Sequence, residues 1–270
     1  MGVVERVGAA VLSRVRDTWH LWCVCGAVLL IALKPANWPR TVRDILSRQI
    51  LFTGIHALWF IIGLSGLLGV LLVLQAQNLL VQVGRTDLVG SLIADALIQY
   101  TGPLLVHFVI IGRSGTAITT ELANMRVRGE IEVLDSQGFD PLAYLVMPRV
   151  VGMMVSTFCL TVVFVLGALF IGYLAAFISG VSTLPPDVFM ANMFREITPF
   201  AMVAFVSRAL IPALITGTIC CVTGLNVNRS ITEVPQAVTR AVMSSIVMLF
   251  VVLTIITLAL SVFQSAWGEG

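Results

Sequence analysis

The sequence predicts an all-α integral membrane protein, and three observations carry that prediction. Of 270 residues, 58% are hydrophobic and only 11% charged, under half the charged share of an ordinary soluble domain. The apolar residues fall into five runs long enough to cross a bilayer. The basic residues gather on alternate connections between those runs.

Taken in order, residues 3–17 place Val4, Val7, Val11 and Val15 at helical spacing, with Arg6, Arg14 and Arg16 elsewhere. That pattern suits an interfacial helix on anionic lipid, or a frayed basic tail. Leu21–Leu33 is apolar but gives a helix of only ~20 Å, against a hydrocarbon core of ~30 Å. It reads as a re-entrant or interfacial elbow ended by Lys34-Pro35 and Pro39; a span starting at Thr18 is the alternative. The first full span is Gly54–Leu74, whose Gly63, Ser65, Gly66 and Gly69 form a small-residue face for close packing on another helix or a second copy. The second, about Leu88–Ile111, carries Asp95, Gln99, Tyr100 and His107. The third is Val150–Ile178, the fourth Pro199–Leu225 with Arg208 and Pro212, and the fifth Ala241–Phe263.

Five spans put the termini on opposite sides. With the N-terminus inside, the inner segments hold Arg6, Arg14, Arg16, Lys34, Arg40, Arg43, Arg48, Arg126, Arg128, Arg149, Arg229 and Arg240, and the outer loops only Arg85 and Arg195. The excess of inner basic residues sets the orientation, with a cytoplasmic N-terminus. The chain then divides into N-terminal interfacial and elbow helices over 1–49, on the cytoplasmic side, and a five-helix domain over 50–265. A cytoplasmic segment at about 126–141 links the second and third spans.

That segment organises the chain. Glu130, Glu132, Asp135 and Asp140, with Gly138 at a helix end and Pro141 after it, describe a short acidic helix that stops sharply. It is either a solvated loop helix or a coupling helix that docks into a motor subunit. Just before it, Arg113 and Glu121 lie eight residues apart on one helical stripe. Arg113 either snorkels to the head groups or belongs to a packed polar hinge linking the span to the cytoplasmic segment. Deeper in the membrane, Asp95 and Arg208 fall at similar depth and are expected to pair, or to line a cavity with Gln99, four residues on from Asp95. His107 is read as a neutral, hydrogen-bonded packing residue rather than a proton relay.

Other chemistry has little support. No GxxxxGK[ST], HExxH or nucleophile elbow occurs, so the chain has no ATPase site of its own and no enzyme activity is expected. Cys23, Cys25, Cys159, Cys220 and Cys221 lack ligand spacing and read as small hydrophobes, so no metal or other cofactor is expected. A net charge of +2 gives no reason to expect nucleic acid. The charged first twenty residues, with no small-x-small site after them, argue against a cleavable signal.

The run from Gly112-Arg-Ser-Gly-Thr-Ala to Glu121, then Met125-Arg126, Glu130-Ile-Glu-Val-Leu134, Asp140-Pro141 and Pro148-Arg149, closely resembles the MlaE/YrbE family of ABC permeases. Leu74-Gln75 and Gly102-Pro103 fit its pattern too. The resemblance implies a homodimer in the bacterial inner membrane, each copy with an elbow helix and five spans. It implies a cytoplasmic ABC ATPase subunit on the coupling helices, often a STAS-domain accessory protein, and an MCE-domain protein on the periplasmic side. The implied cargo is phospholipid, moved between the inner membrane and periplasmic carriers, with sterols or other lipids handled by related systems.

By position, the family's pocket-lining residues fall on Leu71, Leu72, Leu74, Gln77, Gln99 and Tyr100, its coupling helix on about Glu130–Gly138, and its basic residue of the fourth span on Arg208. The sequence departs from the family at Gln99 and Tyr100, where many members have Arg-Glu, and at Leu253, where an acidic residue is frequent. These departures bear on the pocket's polarity. A small-solute importer permease and a membrane scaffold with no ATP dependence are the rival readings.

Overall fold

Apolar runs with no water to satisfy their backbone must close their own hydrogen bonds, and in this chain they do so as helices. The computed structural model describes residues 19, 21–34, 38–83, 97–178, 198–228 and 230–267, with only the backbone at 73, 74, 76–83, 176, 266 and 267. Every regular element among them is helical. In chain order these are α1 (Leu21–Ala32), α2 (Arg40–Ile50), α3 (His56–Val83), α4 (Gly102–Ile110), α5 (Thr116–Val127), α6 (Glu130–Ser136), α7 (Met147–Ile178), α8 (Pro199–Leu225) and α9 (Val234–Trp267).

Among the described residues, four stretches are long and apolar enough to cross a membrane: Arg40–Leu72, Leu142–Ala175, Pro199–Leu225 and Ile231–Ser265. The predicted interfacial stretch 3–17, residues 88–96 of the predicted second span and the loop at 179–197 lie outside the described residues. α1 is helical where an elbow was expected, and Trp38 Nε1 donates to the carbonyl of Ala32 at 2.9 Å, satisfying one of the carbonyls its last turn leaves open.

Three helices begin earlier than hydropathy alone predicts. α2 runs into α3 through a π turn at Leu51–Ile55, so the first long helix starts at Arg40 rather than Gly54. α9 starts at Val234, not Ala241, because Pro235 sits in its first turn, where a missing N–H costs nothing. α7 is preceded by a π turn at Leu142–Val146 that ends two residues before Pro148. Proline has no N–H to donate and its ring crowds the carbonyl four residues back, so the helix widens there.

The chain forms two compact units. The first comprises the described parts of 1–49, 111–153 and 213–249. Here Gly224 lets α8 approach the backbone of Thr119 and the side chain of Leu122 on α5. Thr119 Oγ1 donates to Cys220 O at 3.1 Å, and Cys220 Sγ lies 3.6 Å from Ser245 Oγ, so α5, α8 and α9 are tied by buried polar contacts. Ala123, Val227, Val234 and Ala237 pack together, with Val127 against them.

The second unit comprises the described parts of 50–110, 154–212 and 250–270. The small-residue face of α3 meets α7: Gly66 faces Ile171, and Gly69 abuts the Ala168 carbonyl with no room for a side chain. Phe158–Phe205 and Phe108–Phe250 ring contacts, at 6.1 and 5.7 Å, fill the remaining space.

Candidate functional site

In the second unit, a buried arginine contacts two polar residues of the predicted second span, Gln99 and Tyr100. Arg208 on α8 is only 3% exposed. Its Nη1 donates to Gln99 Oε1 at 3.1 Å. Its guanidinium carbon sits 4.7 Å from the centre of the Tyr100 ring, a cation–π contact that gains strength away from water. Among the described residues its Nε has no hydrogen-bond partner. Gln99 and Tyr100 lie in a π turn, Leu97–Thr101, just before α4. Such a turn re-aims side chains relative to a regular helix. Thus two of the three positions expected to depart from the family pattern, Gln99 and Tyr100, are the ones that contact Arg208.

Asp95, the expected partner of Arg208, lies outside the described residues, as do the side chains of Leu74 and Gln77. Leu71 on α3 is half exposed and Leu72 partly buried. His107 on α4 is fully buried, and its Nδ1 is 2.6 Å from the Pro103 carbonyl. A carbonyl only accepts, so Nδ1 carries the proton. That contact reaches back one turn along α4.

In the first unit, α6 stands where the acidic helix was expected, between two left-handed glycines, Gly129 at φ +75° and Gly138 at φ +80°. Its end is a Schellman closure: Gly138 N–H donates to Asp135 O at 2.9 Å and Phe139 N–H to Leu134 O at 3.1 Å. Asp140 Oδ1 then accepts the Leu142 N–H at 2.9 Å, starting the next helical stretch. The acids are less bare than the sequence implied. Arg126 reaches Glu132 at 3.0 Å and Arg128 reaches Glu130 at 3.1 Å, folding back across Gly129. Asp135 is exposed, and so are Val133 and Phe139, two apolar side chains that charge patterning overlooked.

Arg113 sits in a π turn, Ile111–Gly115, which breaks the regular stripe expected to join it to Glu121. Glu121 instead accepts from Arg149 at 2.8 Å, across 28 residues of chain. Arg113 is partly buried just before α5, where Thr116 Oγ1 donates to the Gly112 and Arg113 carbonyls. All five cysteines are free thiols, Cys25, Cys220 and Cys221 buried. Among the described residues no three His, Cys, Asp or Glu side chains cluster as metal ligands.

Membrane-length helices, one of them holding a buried arginine, together with a doubly glycine-bounded helix define a multi-pass membrane protein. The profile of the Permease MlaE family matches residues 46–259. The chain is 25% identical to a probable ABC transporter permease protein of Rickettsia prowazekii (strain Madrid E) over 82% of its length and 85% of that protein's. It is 26% identical to the protein TRIGALACTOSYLDIACYLGLYCEROL 1, chloroplastic, of Arabidopsis thaliana, over 84% of this chain and 63% of that one. A probable ABC transporter permease of Synechocystis is also 26% identical, over 69% and 70% of the two chains. The chain belongs to the MlaE permease family of ABC transporters. ABC permeases work with a separate ATPase subunit.

Proposed function

We propose that this chain is the permease subunit that moves phospholipid between the bacterial inner membrane and periplasmic MCE-domain carriers. The observation that carries this reading is Arg208, a buried guanidinium in a membrane-length helix, held on one side by Gln99 and Tyr100, its Nε without a hydrogen-bond partner among the described residues. A cation in that setting is costly unless it meets an anion, and intramembrane charges mark substrate paths. A phospholipid phosphate supplies the anion, and Leu71, Leu72, Leu74 and Gln77 are assigned to the same lipid pocket. The glycolipid in the printed name of the Arabidopsis relative supports a lipid cargo.

In this account two copies assemble with five spans each, N-termini in the cytoplasm, and a pair of ATPase subunits grips α6 through Asp135, Val133 and Phe139. Glu130 and Glu132, neutralised by their arginines, and Asp140 at the following turn hold that helix in shape. A STAS-domain protein completes the cytoplasmic side. The test is co-purification from the native membrane in mild detergent, with mass spectrometry of bound proteins and lipids. An ATPase, an MCE-domain protein and stoichiometric phospholipid are expected. An ATPase without lipid or MCE partner would instead mark a small-solute importer.

A further inference from the structure

A groove of about 430 Å³ opens between the end of α8 and the start of α9, within the first unit. That volume suits a small-molecule site. Leu21 and Val222 give it an apolar floor, and Asn228, Glu233, Gln236 and Arg240 give it a polar rim. Its position fixes the environment. The membrane-length stretches Pro199–Leu225 and Ile231–Ser265 end and begin there, and Leu21 comes from an apolar helix too short to span. The groove therefore lies where acyl chains give way to head groups.

The rim carries opposite charges at separate points. Glu233 and Arg240 are seven residues apart, two turns on one face and ~10 Å along the axis. Asn228 holds the carboxylate in place, its N–H donating to Glu233 Oε2 at 3.2 Å and its Nδ2 to Oε1 at 3.4 Å. Arg240 is exposed, and among the described residues no carboxylate lies within ion-pair distance of it. An anionic head group would satisfy Arg240 but set its charge beside Glu233. A head group carrying both a phosphate and an amine satisfies both.

We infer that this groove binds the head group of a zwitterionic phospholipid, phosphate toward Arg240 and amine toward Glu233, with the acyl chains leaving over Leu21 and Val222. It is a different site from the one at Arg208. Its assignment to the cytoplasmic leaflet rests on the orientation proposed above; the binding itself does not.

The test titrates delipidated full-length protein, carrying Arg208→Gln to silence the other site, with dihexanoyl phosphatidylethanolamine, dihexanoyl phosphatidylglycerol and inorganic phosphate, read by native mass spectrometry. Arg240→Gln should weaken phosphatidylethanolamine binding about tenfold, the loss of one charge-assisted contact. Glu233→Gln should erase a preference for phosphatidylethanolamine over phosphatidylglycerol. Gln236→Trp, which fills the groove between the two charges while leaving both in place, should weaken both lipids. Unchanged phosphatidylethanolamine binding in Arg240→Gln and Gln236→Trp would overturn the site. Equal binding of inorganic phosphate would overturn the lipid as its source. Loss of ATPase co-purification in Arg240→Gln with lipid binding intact would make the groove a protein contact and likewise overturn it. None of these outcomes touches the role proposed for Arg208.

Discussion

Arg149 donates through Nη2 to Glu121 Oε1 at 2.8 Å and through Nη1 to the Leu145 carbonyl at 2.9 Å. The pair joins α5 to the start of α7 and so closes the 28-residue stretch that carries α6. Arg149 is nearly buried, its side chain 6% exposed, whereas Glu121 is 56% exposed. The two ends are therefore unequal.

Removing the exposed end should cost little. Glu121→Gln should lower stability by about 1 kcal/mol, since water already screens that carboxylate. Arg149→Ala should cost about 3 kcal/mol, because it takes out a packed buried side chain together with both of its bonds. Thermal unfolding in detergent, followed by near-ultraviolet circular dichroism, checks the order. Equal losses would mean that the pair is not the tie described.

Gly138 adopts φ +80° with nothing within 4 Å of the position a Cβ would take. Gly138→Ala should therefore cost about 1 kcal/mol through backbone strain alone, and Gly138→Asn less, because asparagine tolerates the left-handed region. The same unfolding assay should rank them in that order. A reversed ranking would place the strain elsewhere.

Gly69 and Gly63 are both small residues of α3 but differ in what lies opposite. A Cβ at Gly69 would run into the Ala168 backbone, whereas at Gly63 it meets nothing within 4 Å. Gly69→Ala should destabilise by about 2 kcal/mol or more, as overpacking against a backbone cannot relax by rotamer change. Gly63→Ala should be neutral. Parallel melts of the two variants test the α3–α7 crossing.

Val133 is 54% exposed on α6, so a charge there should leave the fold intact. Val133→Asp is expected to unfold at the wild-type temperature yet to recover less ATPase in pull-downs, by about tenfold in affinity for loss of one buried apolar anchor. Full recovery of the ATPase would remove α6 from the contact.

The four described membrane-length helices were legible because apolar run length reports membrane crossing directly, and α6 was legible because Gly138 and Asp140-Pro141 are strong local stop signals. What sequence left open is contact between distant residues. Nothing local distinguishes Arg149 as the partner of Glu121, and a π turn at Ile111–Gly115 upsets the stripe that pointed to Arg113. Matching depths along two helices pointed to Gln99 near Arg208, and that contact is present. Tyr100 as the ring beneath the guanidinium depends on the π turn at Leu97–Thr101, which hydropathy does not encode. The ion pairs of Glu130 and Glu132 needed the fold-back at Gly129, a positive-φ turn that charge counting passes over.

The most direct test of the central claim is ATP-dependent movement of a labelled phospholipid. The protein and its co-purified ATPase would be reconstituted in vesicles and transfer to acceptor vesicles followed. The account predicts ATP-dependent transfer by the wild type and roughly tenfold slower transfer by Arg208→Gln, for one lost charge-assisted contact to phosphate, with ATPase assembly unchanged. Equal transfer by both proteins, or none that depends on ATP, would contradict it.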